Sequence, residues 1–179
     1  MLFLTGIATA QNSQDILQRI ETEAAHKDAY SVRFTEVRTP AAKDRAKEKL
    51  EGQMEYKGEE YLSMDYANGD LFRIEGNTMT FIRDGKTTRF DTAKNLMMGN
   101  LKAALMLSFK GRLQDLADKQ DAAIEAARDG ANYVVTLTAR KKSPRGYSLI
   151  RIHYSPSGDI LDMQMDEFSG ASTFYAIKG

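Results

Sequence analysis

Residues able to do chemistry are sparse in this sequence, and their spacing suits catalysis poorly. Two histidines, His26 and His153, lie most of the chain apart, and neither has a ligand-spaced neighbour of the kind a metal site needs. The chain has no cysteine, which removes thiolate nucleophiles, disulfide frameworks, zinc-cysteine sites and iron-sulfur clusters together. The conspicuous carboxylates, Glu59-Glu60 and Asp65 with Asp70, fall at turns or outward strand positions, where solvated charge is a simpler reading than an acid/base pair. No G-x-S-x-G, G-x-G-x-x-G, Walker glycine-lysine loop or H-E-x-x-H occurs, so hydrolase and nucleotide chemistry lack support. The expectation is a protein that is not an enzyme, with no metal and no cofactor.

What remains is chemistry of binding. Apart from Met1, the methionines are Met54, Met64, Met79, Met97, Met98, Met106, Met163 and Met165. They fall mostly on inward strand positions and on one mid-chain helix. Thioether side chains are unbranched and polarisable, so they either fill an irregular core or line a surface that adapts to flexible ligands. Arg140, Lys141, Lys142 and Arg145 cluster around Pro144 at an expected hairpin tip. Such a loop is either a solvated device against aggregation or a contact for lipid phosphates or an acidic partner. Lys and Arg together number 25, as do Asp and Glu, so the basic excess that phosphate backbones demand is missing and nucleic acid is not an expected partner.

The elements that position these residues follow from periodicity. At 179 residues the chain can bury about 70% of its surface as one domain. Met1–Ala10 reads as a short apolar run ending in Ala8-Thr9-Ala10, a secretory signal too short for a membrane span. Residues 11–179 form the expected single domain. Ile16, Leu17, Ile20 and Ala24 predict an amphipathic helix over Asn12–Asp28, with Asn12 or Ser13 as N-cap. From Tyr30 the period becomes two, and short strands follow at turns such as Asn68-Gly69, Gly76-Asn77 and Asp84-Gly85, an antiparallel meander. Lys94–Phe109 is apolar on every side of its helical wheel, so it is either a plug inside a sheet or a lid whose outer face meets something else. Asp115–Arg128 mixes helix composition with an Asp-Gly hairpin signal; it is divided into a helical turn over Leu113–Lys119 and a strand over Asp121–Arg128. About ten or eleven strands result, in a mainly β (α+β) chain. They must wrap a shared interior as a barrel, half-barrel or sandwich, with room for an apolar guest beside the helix.

Several stretches carry a family resemblance: Val32-Arg33-Phe34-Thr35-Glu36, then Leu50-Glu51-Gly52-Gln53-Met54 and the turn-rich meander. Tyr133-Val134-Val135-Thr136-Leu137-Thr138, Ile150-Arg151-Ile152, Ser157-Gly158-Asp159-Ile160 and Asp166-Glu167-Phe168-Ser169-Gly170 extend it. Over nearly its whole length the chain resembles the periplasmic outer-membrane lipoprotein carriers, the LolA-like proteins. The resemblance implies a strongly curved, incomplete antiparallel β-barrel covered by helices. It implies a hydrophobic cavity that takes lipoprotein acyl chains from an inner-membrane lipoprotein-releasing transporter and yields them to an outer-membrane acceptor. Gln11, where a lipid-anchored receptor would have Cys, favours the exported, soluble periplasmic carrier. A monomer is expected.

Alternation within that frame gives the expected cavity wall: Val32, Phe34, Leu50, Met54, Leu62, Met64, Phe72, Ile74, Met79, Phe81, Val135 and Leu137. The expected lid is Leu96, Met97, Met98, Leu101 and Leu105. Typical carriers hold the lid with the Arg of an early-strand Arg-Pro pair. Glu55-Tyr56-Lys57-Gly58 stands there instead, so by resemblance the latch position falls to Lys57, a point charge without Arg's planar fork. Two rival readings remain, a lipid- or peptide-sensing interaction domain on the same half-barrel and an enzyme of the cell envelope. For the second the sequence supplies no nucleophile or paired acid.

Overall fold

The computed structural model describes residues 4–179, and side chains from residue 12 onward. Helix α1 (Leu4–Ala25) is followed by six strands: β1 (Ala29–Thr39), β2 (Glu48–Lys57), β3 (Tyr61–Tyr66), β4 (Leu71–Glu75), β5 (Thr78–Arg83) and β6 (Lys86–Asp91). Helices α2 (Leu96–Phe109) and α3 (Leu113–Gln120) interrupt the sheet, and β7 (Ala122–Asp129), β8 (Asn132–Ala139), β9 (Tyr147–Tyr154), β10 (Ile160–Glu167) and β11 (Ser172–Lys178) complete it. All eleven strands form one antiparallel sheet in the order β6-β5-β4-β3-β2-β1-β11-β10-β9-β8-β7. No pairing joins β6 to β7, so the barrel is incomplete, as the resemblance implied, and of the barrel, half-barrel and sandwich that the strand pattern left open it is the half-barrel.

The sheet is strongly curved. Six inter-strand steps separate β5 from β10, which in a flat sheet would place them roughly 29 Å apart. Yet Phe81 and Arg83 of β5 line the same cavity as Met165 and Glu167 of β10. Register shifts at both ends of β10 are the irregularities that let a strand bend and twist. Close backbone approach contributes at Gly52, opposite Phe34 in register. A Cβ there would stand 2.9 Å from the Phe34 ring and collide with the Asp65 carbonyl, so only glycine fits.

Period-two alternation works because one face of the sheet is dry. A directly paired row crosses five strands, Val32–Met54–Met64–Phe72–Phe81. A second row crosses the other half, Glu36–Tyr175–Met163–Ile152–Val135. Such in-register neighbours are the unit of sheet stabilisation. The apolar members of the two rows belong to one continuous core.

Helix α1 covers the β7 edge. Ile16, Leu17, Ile20 and Ala24 are buried, and the Ala126 amide donates to Ser13 Oγ at 2.8 Å. The helix begins at Leu4 rather than Asn12, so Ser13 is no N-cap; its hydroxyl satisfies an edge amide of β7, which blunts that edge. The expected export signal and Gln11 lie, in their side chains, outside the described residues. The division near Asp121 corresponds closely to the structure: Asp121 adopts φ 48° and closes α3, and β7 starts at the next residue.

Candidate functional site

Helix α2 decides what the interior can hold. Its C-terminal half is packed inside the curved sheet: Ala103, Ala104, Leu105, Met106, Ser108 and Phe109 are buried. Phe109 stacks on Tyr30 and Tyr56, each with ring centroids 5.6 Å away. The Tyr154 hydroxyl donates to the Ser108 carbonyl at 2.8 Å. The N-terminal half is held differently. Asn95 caps it by accepting from the Met98 amide at 3.1 Å, and Lys102 donates to the Gly76 carbonyl at 2.6 Å and to Asn77 Oδ1 at 3.2 Å. Asn100 Nδ2 donates to the Arg145 carbonyl at 3.1 Å. One half is thus a plug fixed by apolar packing, and the other is held by the partly buried Met98 and Leu101 together with a few polar contacts near solvent. Gly99 lets this loosely held end lie against the β6–α2 connection, since a Cβ there would meet the Thr92 carbonyl at 2.8 Å.

Cavities lie on both sides of α2. Toward the sheet, about 240 Å³ remains among Leu101, Phe72, Phe81, Met165 and a polar end formed by Glu36, Arg38, Tyr66 and Tyr175. On the opposite face, about 310 Å³ lies over Gly99, Ala103, Met106 and Leu107, rimmed by Lys102, Lys110, Arg112 and Lys119 with Glu59 and Asn77. Residues 99, 102, 103 and 106 share one face of a helix, and 101 and 105 share another. Leu101 borders the first space and Gly99, Lys102, Ala103 and Met106 the second, so α2 lies between them. Both lie near or below the small end of ordinary ligand pockets.

Most expected wall residues face this interior. Phe34, Met54, Leu62, Met64, Phe72, Ile74, Met79, Val135 and Leu137 are buried, and Val32, Leu50 and Phe81 are partly buried against the same core. Ile150, Ile152, Met163 and Met165 of β9 and β10 join them, beyond the expected wall. Of the lid residues, Leu105 is buried, Met98 and Leu101 pack partly against the core, and Leu96 and Met97 stand in solvent. Lys57 is on the outside, paired with Glu55 at 2.9 Å and over the Tyr61 ring. Among the described residues it makes no hydrogen bond to α2; the lysine that ties α2 to a strand turn is Lys102. Arg140, Lys141, Lys142 and Arg145 are exposed in the β8–β9 connection.

The interior also holds a polar cluster. Glu36 is 2% exposed and accepts from Arg38 Nε at 2.7 Å, Arg38 Nη2 at 3.1 Å and the Tyr66 hydroxyl at 2.6 Å. Arg38 reaches on to Glu48 at 3.5 Å, and Glu48 pairs with Arg83 at 2.9 Å. Burial disfavours the Arg38 charge, but the Glu36 hydrogen bond and charge outweigh it and hold the guanidinium protonated beyond its ordinary range. The signal was present in the sequence: Tyr30, Val32 and Phe34 continue in period two to Glu36 and Arg38, which places both on the inward face.

Burial also raises the phenols. Desolvation first, and the Glu36 charge second, push Tyr66 and Tyr175 well above the ordinary value near 10. Desolvation likewise raises Tyr30, Tyr147 and Tyr154, and takes Tyr56 to about 12. A group whose folded pKa lies above its unfolded value stabilises fully below the unfolded pKa and loses that contribution as pH rises further. The melting temperature is therefore expected to hold steady to about pH 9.5 and to fall steeply above pH 10. Thermal melts followed with tyrosinate absorbance check this; a flat profile to pH 12 would contradict the buried phenols.

His153 sits outside the interior, 2.7 Å from Asp162 and 3.8 Å from Asp129. Among the described residues there is no group of three or more His, Cys, Asp or Glu able to hold a metal ion.

No family model and no curated protein matches the sequence. Among solved structures, the fold is similar to that of a LolA superfamily protein from Nitrosomonas europaea, at 16% identity over 93% of this chain and 91% of that one, TM-score 0.40. It is similar to the lipoprotein LppX of Mycobacterium tuberculosis, at 13% identity over 92% and 94%, TM-score 0.44. A DUF1329 family protein from Desulfovibrio piger has 10% identity over 96% and 92%, TM-score 0.46.

Proposed function

We propose that this protein is a periplasmic carrier that shelters the acyl chains of lipoproteins inside its open barrel and ferries them from the inner to the outer membrane. The observation that carries the reading is α2, an apolar helix occupying the interior as a removable guest would. The reading assigns no catalytic step. Each CH₂ taken from water contributes about 0.8 kcal/mol, so acyl chains need an enclosed apolar surface. A helix apolar on every side can cover the interior when it is empty and can lie against acyl chains when it is full, with little difference between the two states. An inner-membrane lipoprotein-releasing transporter would load the carrier, and an outer-membrane acceptor with a better-matched surface would draw the cargo off by differential affinity alone. The buried Glu36 and Tyr66 with the half-buried Arg38 give the interior one polar end, which suits a guest with apolar chains and a polar link. Among the described residues no helix is long and apolar enough to cross a membrane.

Met98 tests the lid. It packs partly against the core from the N-terminal half of α2, where an aspartate would face the chains of a loaded cargo. Met98→Asp is expected to leave the fold intact by circular dichroism and to reduce uptake of an acylated peptide at least tenfold, about 1.4 kcal/mol. Undiminished uptake would overturn the assignment of α2 as the lid. Uptake of an unacylated peptide in place of the acylated one would favour an interaction domain instead.

A further inference from the structure

We propose that the first turn of α2 and the β8–β9 connection together form a docking face for membranes with anionic headgroups. Leu96 is 59% exposed and Met97 48%, and these are the exposed large hydrophobics among the described residues. Leu96 and Asn100 are four residues apart, so they share a helix face, and Asn100 is the residue that hydrogen-bonds the Arg145 carbonyl. The exposed apolar pair is thereby set beside the loop that carries Arg140, Lys141, Lys142 and Arg145. Lys141 lies 3.8 Å from Asp121. The other three cations have no ion-pair partner among the described residues, in a chain whose formal net charge is zero.

An apolar pair flanked by long basic side chains matches the boundary of an anionic bilayer. Leucine and methionine enter the headgroup and acyl border, while lysine and arginine reach up to phosphates. The face is small, aliphatic and without an aromatic anchor, unlike the buried hot spots that drive stable protein interfaces. Two aliphatic side chains alone give weak adsorption, and so does a short basic loop. Together they give reversible docking of the kind that combines two signals. Headgroup phosphates are the partner, and the docking needs no acyl cargo in the barrel, so it stands or falls separately from the carrier reading.

The test is flotation of the full chain with vesicles of phosphatidylcholine containing about 30% phosphatidylglycerol, compared with pure phosphatidylcholine, at low and high salt. Binding to the anionic vesicles that weakens with salt is expected. Each removed unpaired cation is expected to weaken it about fivefold, so Lys142→Gln with Arg145→Gln should lose about 25-fold. Leu96→Ser with Met97→Ser should lose binding at least tenfold as well. All four side chains are exposed, so thermal melts should show both variants folded. Equal flotation with neutral vesicles would indicate entry through the apolar residues 1–10 and would overturn the proposal. So would anionic binding that either double variant leaves unchanged, or its complete absence.

Discussion

Replacing Arg38 with alanine is expected to cost about 3 kcal/mol of folding stability, read as a shift in the denaturant midpoint. The cost comes from what is left behind. Glu36 is 2% exposed, and Arg38 supplies two of its three side-chain donors; without them a buried carboxylate keeps only the Tyr66 hydroxyl. A fully buried pair broken this way loses 3–5 kcal/mol, and the partial exposure of Arg38 puts this site at the lower end. Removing the whole cluster should behave differently. Glu36→Leu, Arg38→Met and Tyr66→Phe combined leave no orphaned charge or hydroxyl, and stability should return to within about 1 kcal/mol of the parent. That variant would show that the cluster is dispensable for folding. Its loss should then appear in binding, as about tenfold weaker uptake of an acylated peptide, the equivalent of one lost hydrogen bond to a polar link. A cost below 1 kcal/mol for Arg38→Ala would mean that water already reaches Glu36 and that this end of the interior is wet.

Tethering α2 to the sheet is expected to abolish cargo uptake. The buried half of α2 is anchored by Phe109 and Tyr154, whereas the other half depends on Lys102, Asn100 and the Asn95 cap. Opening should therefore swing from the C-terminal anchor, with the Lys102 contact to Gly76 and Asn77 breaking first. Because the chain has no cysteine, Asn77→Cys with Lys102→Cys offers a single reactive pair. A bis-maleimide spanning the gap that the lysine now spans would fix the lid without altering the interior. Uptake of acylated peptide should fall at least tenfold in the linked form and match or exceed the parent rate before linking. Equal uptake in both forms would mean that cargo enters without the release of this end.

The strands were legible because burial is one-sided. Val32, Met54, Met64, Phe72 and Phe81 occupy alternate positions of their strands, and the register that pairs them directly would turn the whole set to the other face after a slip of one residue. The number of such strands called for a wrapped sheet, the resemblance narrowed it to an incomplete barrel, and α2 stood out as the element that needed apolar surroundings. Its placement was not legible. A segment with no preferred apolar face carries no information about which half is buried, and Leu105 and Leu96 look alike until the aromatic anchor at Phe109 is seen. Glu36 and Arg38 are a different case. The alternation that marked Phe34 as inward reaches them without a break, but charged residues at inward positions read as strand ends unless their pairing with each other is considered. Lys102 carried no signal, because its partner is a backbone carbonyl in a turn 26 residues away. The start of α1 was misplaced because Asn12 and Ser13 look like a cap; the hydroxyl serves β7 instead.

The most direct measurement is native mass spectrometry of the purified protein with a triacylated peptide and with the same peptide lacking its acyl chains. The account predicts a one-to-one complex with the acylated peptide only, and its loss when α2 is cross-linked to the β4–β5 turn. Equal binding of both peptides, or binding of neither, would contradict a lipid-carrying interior.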